Sequence, residues 1–193
     1  VRDKMNDAIV AYAKEHPAVN YLHFWLADAD NNHCECDSCR TMRPSDWYVR
    51  ILNELDEKLT AAGLSTKIVC LIYLDLLWAP ETEKIKNPER FVLMFAPITR
   101  SYSKAFSDGD IHKQVCLPDY KRNENKMPRT VEENLAHLRR WQTEQLSGES
   151  FDFDYHLMWD HHADPGYYNV AELIHRDMVA LEKLNLDGMV SCQ

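Results

Sequence analysis

Glycine is scarce, with five in 193 residues. None of them builds a Gly-x-Gly-x-x-Gly turn, so the phosphate-cradling start of a dinucleotide-binding sheet is missing. A P-loop and the Gly-x-Ser-x-Gly elbow of α/β-hydrolases are missing too, which removes P-loop nucleotide chemistry and Ser-His-Asp acyl transfer. Nothing in the chain calls for an organic cofactor. No apolar run reaches the roughly 18 residues of a membrane span. The segment that opens at Val1 carries charges and no apolar h-region, so no signal-peptide pattern is visible; a processed chain would have lost one. Positive charge is also short: 22 Lys and Arg stand against 31 Asp and Glu, a net charge of −9. A nucleic-acid backbone needs a basic face, so this balance speaks against nucleic acid and suits neutral or cationic ligands.

What is present is a strong alternation of strand-like and helix-like segments. Apolar residues make up 45% of the chain, enough for a real core. Met5, Ile9, Tyr12 and Ala13 fall at helical spacing and His16-Pro17 stops that helix. Tyr21–Ala27 reads as a strand that ends in Asp28-Ala29-Asp30. A second helix over about 46–62 carries Tyr48, Ile51, Leu52, Leu55 and Leu59 as one stripe, with Gly63 as its stop. Lys67–Leu74 is short, β-rich and apolar throughout, as a strand buried on both faces is. Phe91–Ala96 is another strand, reached by a link too short for a full crossover helix. The polar stretch 101–129 is long for a loop in a compact domain, which points to function.

Thr130-Val131-Glu132-Glu133 is a capping box before a helix carrying Leu135, Leu138 and Trp141, with Gly148 as its end. Phe151–Trp159 reads as the next strand, and Asn169–Glu172 as the next helix start. Gly188–Cys192 opens a last strand. Repeated β-α units imply a parallel sheet. With no dinucleotide turn, a (β/α)8 TIM-barrel type is favoured over an open doubly wound sheet. A full barrel takes about eight strands and roughly 250 residues. The expectation is therefore a single partial barrel over 1–193, covering roughly the C-terminal half, about strands 4 to 8.

Barrel active sites gather at the carboxyl ends of the strands. Those ends carry Asp28 and Asp30, then Asp75 and Trp78, then Arg100, then Asp160, His161 and His162. Trp25, Tyr73, Tyr155 and Trp159 sit beside them as flat surfaces for sugar rings. Glycoside hydrolysis uses a pair of carboxyl groups across the scissile bond, which makes Asp28, Asp30, Asp75 and Asp160 the catalytic candidates. Any one of these Asp residues also fits the role of a loop cap.

The sharpest local pattern is Cys34-Glu35-Cys36-Asp37-Ser38-Cys39. Three thiolates this close can wrap one soft cation, and a closed structural zinc site completes a tetrahedron of N and S ligands. Cys116 is the expected fourth ligand, with His33 and His112 as alternatives. A disulfide plus one unpaired thiol, or three reduced cysteines, fit the same spacing. Cys70 and Cys192 lie in apolar strands and read as core.

Several segments together resemble one known family. They are Cys34-Glu35-Cys36 with Cys39, Pro44–Asn53, Ile72–Pro80, Phe95–Arg100 and Asp154-Tyr155-His156. The family is the bacterial domain of unknown function 4838, common in polysaccharide-degrading gut bacteria, and the likeness spans nearly the whole chain. It implies a TIM barrel of the glycoside-hydrolase superfamily, distantly similar to α-glucuronidases and β-hexosaminidases, and an exported, periplasmic or extracellular protein. Where hexosaminidases carry an Asp-Glu pair, this chain reads Asp28-Ala29-Asp30.

The expected function is thus a glycoside hydrolase acting on a polysaccharide or glycan. Asp28 or Asp30 would be the acid, and Asp160, or failing that Asp75, the nucleophile or base. Arg100, His156, His161 and His162 would hold hydroxyl or carboxylate groups, and Trp25, Tyr73, Trp78, Tyr155 and Trp159 would line the sugar. The rival expectation is a non-catalytic carbohydrate-binding barrel with a structural zinc.

Overall fold

The computed structural model describes residues 1–26, 28–110, 113–159, 164 and 166–192. Five strands, β1 (Tyr21–Phe24), β2 (Lys67–Ile72), β3 (Phe91–Phe95), β4 (Ser150–Asp154) and β5 (Met189–Ser191), form one sheet. Their order is sequential and every pairing is parallel. Order never reverses along this sheet, so it lacks the switch point of a doubly wound fold.

The sheet is also curled. Rings on β1 reach rings on β4: His23 and Phe151 lie 6.3 Å apart between centroids, and Trp25 and Phe153 lie 5.9 Å apart. In a flat sheet these strands, three places apart, would be separated by roughly 14 Å. The architecture is an α/β half-barrel, compatible with part of a closed barrel.

Alternation along the strands divides the core in two. Ile68, Cys70, Ile72, Leu93 and Phe95 pack outward against the helices. Val69, Leu71, Val92 and Met94 face the concave side with Phe151 and Phe153. That two-sided burial explains the unbroken apolar run of β2 and β3.

The outer layer is built by α1 (Arg2–Glu15), α2 (Pro44–Ala61), α3 (Val131–Glu144) and α5 (Tyr168–Ala180), with a single turn α4 (His156–Trp159) after β4. Tyr48 of α2 sews the sheet to this layer. Its hydroxyl donates to Phe24 O at 2.5 Å and accepts from Leu71 N at 3.0 Å, one step beyond the last β1–β2 register pair, Phe24 with Cys70.

Several boundaries move. β1 stops at Phe24 and β4 at Asp154, because the chain turns as soon as the ladder ends and His156–Trp159 coils into α4. The Thr130 box forms as expected, with Thr130 Oγ1 accepting from Glu133 N. The expected start at Asn169 does not: α5 begins at Tyr168, behind Tyr167 at φ +54°, and Asp164 accepts from Val170 N instead. α3 ends at Glu144, short of Gly148. Gly63 holds φ +69°, a left-handed helix stop that suits glycine.

Candidate functional site

The concave face at the carboxyl ends of the strands is lined by aromatic rings in an unbroken row. Trp25 meets Phe153 edge-on at 5.9 Å, Phe153 meets Tyr155 edge-on at 5.5 Å, and Tyr155 stacks on Tyr73 at 6.4 Å. The pieces come from β1, β4 and β2, so only the curl of the sheet brings them together. They wall a cavity of about 480 Å³ whose floor includes Leu71 and Met94. Its single charged wall residue among the described residues is Asp28, which accepts a 2.9 Å hydrogen bond from Tyr73 Oη. Burial, then the Asp28 and Asp30 carboxylates, push the Tyr73 hydroxyl pKa up, so it stays a neutral donor. Trp25 is 49% exposed despite its size, and Asp28 and Asp30 are exposed as well.

Asp75 plays another part. It is buried, with Asn31 N at 2.7 Å and His33 Nε2 at 3.1 Å from Oδ2, while Asn125 Nδ2 donates to Oδ1 at 2.5 Å. Burial alone would raise its pKa, but His33, Asn125 and the Asn31 amide outweigh it and the net shift is downward. Such a carboxylate is an anchor between two loops. Leu74 just before it sits at φ +48°, a costly backbone for a side chain of this size, which aims Asp75 at those donors.

The cysteine loop is held from outside by a second loop. Arg122 donates to the carbonyls of Cys34, Cys39 and Met42 at 3.1, 2.9 and 2.6 Å. Asn123 accepts from His33 N and donates to His33 O and to Glu35. Within this frame the thiols of Cys34, Cys36 and Cys39 converge, their sulfurs within 4.8 Å of one another and none in a disulfide. The Cys39 amide, then the neighbouring thiols, lower the Cys36 pKa to about 7, while the hydrogen bond with Cys36 raises Cys39 to about 11. Three convergent sulfurs, one of them close to a thiolate at neutral pH, are a donor set that could hold a metal ion.

Cys116 is not part of it. The expected fourth ligand lies exposed beside another cavity, with Lys113, Arg139 and Arg140. His33 is turned to Asp75, and His112 lies outside the described residues.

A third cluster is sealed between the sheet and α5. Arg100, Asp154, His156 and Asp177 have side chains that are 0% exposed. Arg100 Nη2 lies 3.0 Å from Asp154 Oδ2 and 3.0 Å from His156 Nε2, and bonds Asp177 as well. Tyr102 Oη donates to Asp154 at 2.6 Å, and Phe106 N donates to Asp177 at 2.5 Å. Asp154, His156 and Asp177 are close enough to share a metal ion, but the guanidinium already occupies their common centre. A second cation there would meet its charge at close range.

These positions correct two expectations. Arg100 and His156 cannot reach a sugar, because they are closed off on the helix side. Trp78 is 3% exposed and packs on His137 at 4.8 Å, with its indole N–H given to Pro118 O, so it offers no open face for stacking. Trp25, Tyr73 and Tyr155 do come together, with Asp28 beside them. Asp160, His161 and His162 lie outside the described residues, as does the side chain of Trp159.

Phe153, Asp152 and Asp177 escape a reading from sequence. The alternation Phe151-Asp152-Phe153-Asp154 does signal two faces, but nothing local says that the acidic one is buried. No family model, curated protein or solved structure matches the chain.

Proposed function

We propose that the chain forms part of a TIM-type barrel of the glycoside-hydrolase kind and that its concave strand-end face binds a glycan. The observation that carries this reading is the row Trp25, Phe153, Tyr155 and Tyr73 with the Tyr73–Asp28 hydrogen bond at its rim. Flat rings take the apolar faces of a sugar, and a carboxylate and a phenol take its hydroxyls. The likeness to domain of unknown function 4838 and an exported location belong to the same proposal.

Hydrolysis is the second reading. Asp75 is too firmly bonded to act as acid or base, and Asp28 and Asp30 leave from one loop rather than facing each other. The pair for this reading is Asp28 or Asp30 with Asp160, which lies outside the described residues. Inverting enzymes hold their carboxyl groups about 6.5–9.5 Å apart, and retaining ones about 5–5.5 Å.

Zinc at Cys34, Cys36 and Cys39 completes the proposal as a structural brace of the loop that carries Asp28. The converging sulfurs and the low Cys36 pKa favour it. A binding and release assay on a polysaccharide panel tests the reading. Trp25→Ala should weaken glycan binding at least tenfold. Asp28→Asn and Asp160→Asn should abolish release if the barrel is catalytic, and leave a binding-only protein without release in any form. Failure to bind every glycan would remove the proposal.

A further inference from the structure

The same aromatic face carries a charge preference that its ring content alone does not dictate. Asp28 is the one charged side chain among the described residues that line the cavity; no Lys, Arg or His joins it. Asp28 accepts from the Tyr73 hydroxyl at 2.9 Å, so its carboxylate is held at the rim. His23 lies 5.8 Å from Trp25 on the same side of β1, and partial burial lowers its pKa, which disfavours the charged imidazole. The negative faces of four π-systems add to this field. Among the described residues, an anionic ligand would meet the Asp28 carboxylate and ring faces with no cation lining the cavity to answer it. A cation would meet both as partners, since an ammonium over an aromatic face gains free energy that grows as water is excluded.

We infer that this face selects a cationic sugar, an oligosaccharide of unsubstituted amino sugars whose ammonium groups sit between the rings and Asp28, and that it excludes uronic acids. The inference rests on the glycan reading and sharpens it. It also turns the function away from the α-glucuronidase side of the expected superfamily.

Calorimetry on the whole chain separates the possibilities, with four probes: a glucosamine oligomer, its fully N-acetylated counterpart, a uronate oligomer and tetramethylammonium. All are measured where the free amine is protonated, with circular dichroism as a control on folding. The glucosamine oligomer should bind about tenfold or more tighter than the N-acetylated one, from a cation–π and ion-pair gain of roughly 1.4 kcal/mol. The uronate oligomer should bind weakest. Asp28→Asn removes the charged lining residue among those described, and should bring the ratio of the first two affinities close to one, whatever it does to the N-acetylated oligomer's own affinity. Equal affinities in the native chain, or a preference for the uronate, would overturn the charge inference and leave the glycan reading standing. Binding of tetramethylammonium alone would keep the cation preference and remove the sugar. No binding of any probe would remove both.

Discussion

Arg100 shows how much a single side chain can organise. It neutralises carboxylates that could not otherwise stay ionised without water, and its guanidinium also lies over the Phe106 ring at 4.1 Å. Removing one partner from such a set leaves an uncompensated buried charge, at a cost of about 3–5 kcal/mol. Urea unfolding of Arg100→Met at pH 7, which leaves Asp154 and Asp177 buried without their shared counter-charge, should show a loss of that size with the same m-value. Protons test the cluster from both sides. Burial works to raise the Asp177 pKa, but its bond to His156 and the Arg100 charge win, so the folded value is lowered. A lowered pKa contributes stability above the unfolded value of about 3.9 that is lost as pH falls through the folded one. Asp152 is the opposite case: burial, then the Asp154 charge, raise it well above the usual carboxylate range. A raised pKa favours the fold below the unfolded value, and that contribution fades as pH rises through the folded one. Asp152→Asn should therefore match the native chain only below the unfolded value of about 3.9 and become progressively more stable than it as the pH rises from there through the folded one. Unfolding free energies measured across pH will show whether the two curves diverge in that direction. A variant curve parallel to the native one would mean that Asp152 does not titrate in this way.

Among the elements, the helices and strands were legible because their periods are strong. The stripe on α2 and the unbroken apolar run of β2 leave little room for another assignment. Strand ends were less legible: Tyr155–Trp159 continues the β-like composition of β4, yet the ladder stops where β5 stops pairing, at Asp154 with Ser191. The Tyr48 tie was not legible at all. Tyr48 reads as one more stripe residue, and only the divergence of β1 from β2 after Phe24 gives its hydroxyl two backbone partners. Tyr48→Phe keeps the ring and strips both bonds, leaving a buried N–H and carbonyl unsatisfied. That should cost about 1–3 kcal/mol and should speed hydrogen exchange at the Leu71 amide. Thr130→Ala at the α3 cap should cost less, about 1 kcal/mol, because Thr130 is exposed and water can replace its oxygen. If Tyr48→Phe lost no stability, the two hydroxyl bonds would be contributing nothing beyond the packing of the ring.

At the scale of the molecule, the candidate site was half visible in the chain. Trp25, Tyr73, Tyr155 and Asp28 follow from the rule that strand ends gather at one face. The burial of Trp78, Arg100 and His156 does not, because strand-end residues can turn outward into the helix layer as readily as inward. The cysteine loop was visible as a metal pattern, but its brace was not: Arg122 and Asn123 stand more than eighty residues away in sequence. That brace decides what metal removal will do. In small zinc domains the metal supplies the folding free energy, and chelation unfolds them. Here the loop is already tied by carbonyl bonds to Arg122, by Asn123, and by Asp75 through Asn31, all independent of sulfur. Zinc at the three thiols should therefore stabilise the fold by mass action, by about 4 kcal/mol when free metal stands at a thousand times its dissociation constant, and so raise the Tm. A chelator should return the protein to a lower Tm without unfolding it. Cys36→Ser should abolish the zinc-dependent shift and leave the metal-free Tm almost where it was, since Cys36 is exposed. Thermal scans with and without zinc, on native and variant chains, measure all three. A native Tm that ignores zinc would mean that the thiols hold no such ion. Full unfolding on chelation would mean that the metal, and not the Arg122 brace, builds the loop beside Asp28.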